Sequence, residues 1–140
     1  MPKFRNQAMF WLLFLSIALI PTLAEAKVRV VATLPTLAAI VREVGGDEVE
    51  VTSLAYPTQD AHFVDARPHL VLQLNKADLL VVNGSNLEVG WLPVLQTGSR
   101  NARIQPGSQG FLDASTLVSL KEIPHGKVDR SKGDIHPGGN

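Results

Sequence analysis

The 140-residue chain contains no cysteine. That absence excludes disulfides, thiolate metal sites and a cysteine nucleophile together. It also excludes the lipid-bearing cysteine that follows the signal of a bacterial lipoprotein, so no lipid anchor is expected. Aromatic residues are scarce, at 6%, and neither sign of charge prevails, with 13 Lys and Arg against 13 Asp and Glu. Without a basic stripe, nucleic acid is not an expected partner. Signatures of catalysis and nucleotide binding are missing as well. The chain holds no G-x-S-x-G elbow, no G-x-G-x-x-G and no G-x-x-x-x-G-K-[ST], and "GSNLEVG" (84–90) lacks their spacing. Nothing sets Ser53 or Ser85 beside a histidine, so an enzyme is not expected.

What is present begins with an export signal. Lys3 and Arg5 precede the apolar run "AMFWLLFLSIALI" (8–20), broken only by Ser16. As a helix this run would reach about 20 Å, short of a hydrocarbon core of roughly 30 Å. Ala24-Glu25-Ala26 gives the small-x-small pattern that signal peptidase reads. Residues 1–26 are therefore expected to be a signal peptide cleaved after Ala26, leaving the product free in the periplasm. Removing Lys3, Arg5 and Glu25 from 13 and 13 leaves 11 basic and 12 acidic residues, a net charge of −1. The 140 − 26 = 114 residues from Lys27 onward suffice for one modest domain.

Residues 27–123 read as one α/β domain, and 124–140 as a loop rich in Gly, Pro and charge. "KVRVVAT" (27–33) is a β-branched apolar run and predicts a strand. Pro35 then opens a helix with Leu37, Ile40, Val41 and Val44 on one face, closed by Gly45-Gly46. "EVEVTSL" (48–54) alternates and predicts a strand near an edge. A loop over 55–66 follows, and Pro68 starts a second helix whose Leu70, Val71, Leu74 and Ala77 share a face. "ADLLVVNG" (77–84) is apolar without interruption, as in a parallel strand covered on both sides. A third helix is expected over about 87–96, kinked or limited at its start by Pro93. "ARI" (102–104) is a candidate fourth strand, and "LDASTLVSL" (112–120) a short helical or extended piece. The alternation predicts a parallel sheet of about four strands covered by helices, with ligands beyond the carboxyl ends of the strands. The chain ends at Asn140 inside a Gly-rich stretch, so it is expected to be the first part of a longer protein.

The four histidines are His62, His69, His125 and His136. His62 lies in the loop leaving the second strand, on the ligand-binding edge, with Asp60 two residues earlier. It could hold a metal, move a proton or stand on the surface. His69 follows Pro68 and reads as a helix-surface residue, and His125 as solvated. His136, in the tail loop with Asp129 and Asp134, remains a second candidate ligand. Trp91 and Phe63 could stack on a ligand or equally serve packing.

Four segments, with the signal peptide as a fifth, carry a family resemblance in order. They are "VRVVATLPTLAAIVREVGGDEVEVTSL", "DAHFVDARP", "LNKADLLVVNGSNLEVGWLPVL" and "GDIHPGGN", behind the signal peptide. Together they resemble the N-terminal lobe of the zinc/manganese-binding solute-binding proteins of metal ABC transporters. In that family a histidine of a D-P-H-like motif is the first metal ligand. The matching position is His62, with Ala61 where proline is usual. The resemblance places the next histidine just past Asn140 and the other ligands in a second lobe. It implies a receptor that captures Zn²⁺ or Mn²⁺ between two lobes and delivers it to a permease in the inner membrane. The alternative is an adhesion or interaction protein of the same fold with the metal as a structural element. Nitrogen and oxygen donors without cysteine suit these ions better than Cu(I).

Overall fold

A computed structural model describes residues 26–121. The hydrophobic run of the expected signal peptide, the expected tail loop over 124–140, His125 and His136 lie outside the described residues. Four strands form one sheet: β1 (Val28–Ala32), β2 (Val49–Ser53), β3 (Leu79–Val82) and β4 (Phe111–Asp113). Their spatial order is β2-β1-β3-β4, and every pair is parallel, with Val30 opposite both Val51 and Leu79. Three helices connect them: α1 (Pro35–Gly45), α2 (Pro68–Lys76) and α3 (Leu92–Ser99). β2 lies on one side of β1 and β3 on the other, while α1 and α2 cover opposite faces. Two crossovers of the same hand require that combination.

The strand alternation builds two cores. Val30, Ala32 and Val81 meet Ala38 of α1 on one face. Val31, Leu80 and Val82 meet Leu70 and Leu74 of α2, and Leu92 and Leu95 of α3, on the other. Leu74, Leu80, Leu95 and Ile104 are fully enclosed, each worth about 1.5–3 kcal/mol on burial.

Three expectations are corrected. On α1 the inward stripe is Leu37, Ala38 and Val41, while Ile40 and Val44 are 60% and 83% exposed. The close approach of helix to sheet is made by the small Ala38, which a search for large apolar residues passes over. The third helix spans 92–99 rather than 87–96, because Pro93 fits only a first turn and residues 84–91 are used in turns. Finally, 102–104 is a 3-10 turn, not a strand. The Asn101 side chain accepts from the Arg103 N–H, and Ile104 drops into the core. The fourth strand is Phe111–Asp113, at the start of the 112–120 stretch, and a 3-10 turn over Ala114–Leu117 follows it.

Asp78 pins the amino end of β3 to β1. It accepts from the Arg29 backbone N–H at 3.1 Å and side chain at 3.2 Å, and from Arg103 at 2.9 Å. The Arg29 side chain, then its backbone N–H, hold the Asp78 carboxyl below its ordinary 3.8. A lowered folded pKa contributes stability above the ordinary value and loses it as pH falls through the folded one. The stability gap between wild type and Asp78→Asn is therefore expected at neutral pH and should close in acid. Urea midpoints at the two pH values check this, and a gap independent of pH would contradict it.

At the other end of β3, Gly84 has φ +83°, and a Cβ there would run into the Asp113 carboxylate and the Ser115 hydroxyl. Gly84→Ala is expected to cost about 2–4 kcal/mol, from left-handed strain plus the clash. Chemical denaturation measures it, and a midpoint within experimental error of wild type would refute the geometry.

Candidate metal-binding site

The carboxyl ends of β1 and β3 lie where the strand order reverses, the place where an open α/β sheet leaves a crevice. The ladder continues past the strands there. Thr33 N–H donates to the Val81 carbonyl, and the Leu54 and Ala55 N–H groups donate to Ala32 and Thr33. The loop leaving β2 is thereby drawn in from the sheet edge, with Leu54, Ala55 and Val64 buried in the core.

His62 sits in a turn of this loop closed by the Phe63 N–H donating to the Asp60 carbonyl at 3.0 Å. One oxygen of Asp60, Oδ1, accepts the His62 backbone N–H at 2.9 Å and lies 2.8 Å from its ring Nδ1. The backbone N–H, then the ring, lower the pKa of Asp60 below the ordinary carboxylate value. A carboxylate at Nδ1 favours the tautomer with the proton on that nitrogen and the lone pair on Nε2. Nε2 itself is shielded from solvent, although the side chain as a whole is 29% exposed. The indole Nε1–H of Trp91 donates to the Ala61 carbonyl at 2.9 Å, next to His62. Gly90 approaches on the same side, where an added Cβ would stand 3.5 Å from the His62 carbonyl.

Among the described residues no three His, Asp or Glu side chains are grouped to hold a metal. His62 with Asp60 at its Nδ1 is a single imidazole with one carboxylate partner, short of the three or four protein ligands of a zinc site. His69 stands exposed on the first turn of α2. Phe63 is 71% exposed beside the imidazole, with ring centroids 6.3 Å apart. Trp91 is 4% exposed, so it packs rather than stacks on a ligand.

Sequence reasoning missed Glu88. It is 4% exposed, and its carboxylate accepts from the Thr33 hydroxyl at 2.5 Å, the Asn83 N–H at 2.7 Å and the Gly84 N–H at 3.1 Å. The available signal was an acidic residue between a turn and the apolar start of a helix, four positions after Asn-Gly.

A family model described as zinc-uptake complex component A, periplasmic (ZnuA), matches residues 30–136. The chain belongs to the ZnuA family. The manganese ABC transporter substrate-binding lipoprotein PsaA of Streptococcus mitis is 33% identical over 137 residues, covering 90% of this chain and 43% of that protein. PsaA of Streptococcus pneumoniae is 35% identical over 123 residues, covering 79% of this chain and 38% of its own. The chain therefore spans about two fifths of the length of these relatives. A ZnuA crystal structure matches with a TM-score of 0.58 at 21% identity, over 68% of this chain and 33% of that one. The periplasmic zinc binding protein TroA of Treponema pallidum matches with 0.51 at 29%, over 56% of this chain and 28% of that one. Both curated relatives carry the word lipoprotein in their names. These names conflict with the expected absence of a lipid anchor.

Proposed function

We propose that this chain is the first lobe of a solute-binding protein that captures a divalent metal ion, Zn²⁺ or Mn²⁺, for an ABC permease. His62 is the ligand it offers, through Nε2. One observation carries this reading: Asp60 and the turn it closes hold the imidazole in one tautomer at the carboxyl edge of a parallel sheet. The family membership and the names of the relatives support the same direction, zinc in one case and manganese in others. The lobe acts outside the cytoplasm, after cleavage of the leader behind Ala26. The ion is cargo, so no reaction is assigned. The other donors lie outside the described residues, and His136 is a weaker candidate among them. Sequence and geometry favour neither ion, because the donors that choose between them lie elsewhere.

Calorimetric titration of the full-length protein with each ion tests the proposal. One tightly bound ion per molecule is the expected result, and no saturable binding of either would overturn it. Asp60→Asn should weaken binding about tenfold, the usual effect of removing a carboxylate that orients a metal-bound histidine. Wild-type affinity in Asp60→Asn would show that the clamp does not serve the ion.

A further inference from the structure

We propose that Trp91 is a positioning residue for metal capture, its indole N–H holding the Ala61 carbonyl so that the 60–63 turn presents His62 in a set place. The inference rests on the reading of His62 as a ligand. The turn is closed internally by the Asp60 carbonyl and carboxylate, which fix the imidazole relative to residues 60–63. Those bonds do not fix the turn relative to the sheet. The bond from Trp91 does so: it spans 30 positions in sequence and joins the residue before His62 to the start of α3.

Trp91 is well placed to act as a fixed post. Its ring is 4% exposed within the core formed with Leu92, Leu95, Val64 and Leu70. Its own N–H, like that of Leu92, donates to the Glu88 carbonyl, at 3.2 and 3.0 Å. Glu88 in turn holds the ends of β1 and β3 through Thr33, Asn83 and Gly84. The imidazole is thus referenced to the sheet through a buried ring rather than through a free loop. Ordering the turn before the ion arrives removes an entropy cost from binding, which is how preorganisation raises affinity.

The test uses the full-length protein with Trp91→Phe, which keeps a buried ring and deletes the donor. Replacement of Trp91 by benzothienylalanine, in which sulfur stands for the N–H, serves if phenylalanine impairs folding. Zinc affinity is expected to fall about tenfold, the range of one lost hydrogen bond. In the metal-free protein the ring ¹⁵N resonances of His62 should move toward those of a freely averaging imidazole. Amides of β1 and β3 should keep their exchange rates. A residue needed only for packing would lower the protection of the strands and leave the His62 ring signals in place, and that result overturns the proposal. Wild-type affinity in both donor-deleted variants, alongside loss in His62→Ala, overturns it while leaving His62 a ligand. Wild-type affinity in His62→Ala as well overturns both readings.

Discussion

Replacing His62 by alanine in the full-length protein is expected to lower zinc affinity by about a hundredfold to a thousandfold. Zinc bound by four protein donors gains about 10–16 kcal/mol, or roughly 2.5–4 kcal/mol for each donor. Each 1.4 kcal/mol is a factor of about ten, and a water molecule entering the vacated position returns part of the loss. The figure assumes that the imidazole is held ready, as the Asp60 contacts at 2.8 and 2.9 Å indicate. His69→Ala is the control, since that side chain is exposed on α2. Calorimetric titration of the wild type and both variants with Zn²⁺ and Mn²⁺ decides the matter. Equal affinities for wild type and His62→Ala would end the ligand assignment.

The parts of the fold that could be read from the sequence are those where one strong pattern acts alone. β1 and β3 are β-branched or leucine-rich runs and form strands as read, with β3 buried over Leu80–Val82 as its unbroken apolar character predicts. Pro35, Pro68 and Pro93 each stand in the first turn of a helix, where the fixed φ helps and no N–H is missed. The parallel order followed from the alternation of strands and helices. Errors arose where small residues or polar caps decided the outcome. Ala38 sets the orientation of α1, yet hydrophobicity favours Ile40 and Val44, which face solvent. β4 has only three residues, too few to show a period, and the capping Asn101 turned 102–104 away from the sheet.

For the site, the position of His62 after β2 and the spacing Asp60–His62 were visible. Their contacts were not, because a loop of this length has no period from which to compute a distance. Trp91 could have stacked on a ligand or served packing, and it packs in the core. Its second task is visible only in the bond to a backbone carbonyl 30 positions away.

Glu88 carries the largest expected effect on folding. Glu88→Ala should destabilise the protein by about 3–5 kcal/mol, the range for removing one partner of a buried, charge-assisted cluster. The Thr33 hydroxyl, itself fully buried, and the Gly84 N–H both lose their acceptor, while Asn83 retains a longer contact of 3.3 Å to Thr33. The turn they serve is costly to hold. Gly84, Ser85 and Asn86 have φ of 83°, 52° and 67° in succession, and only the first is glycine. A non-glycine residue in that region costs about 1 kcal/mol or more, so the carboxylate offsets strain as well as satisfying donors. Glu88→Gln keeps an acceptor oxygen but turns an amide N–H₂ toward donors, so a smaller loss of about 1–3 kcal/mol is expected. Ser85→Gly should offset part of either loss by relieving the backbone. Urea unfolding with a lowered midpoint and an unchanged slope would show that stability alone has moved. A Glu88→Ala midpoint matching wild type would mean that water replaces the carboxylate at no cost, and the clamp between β1 and β3 would have to lie elsewhere.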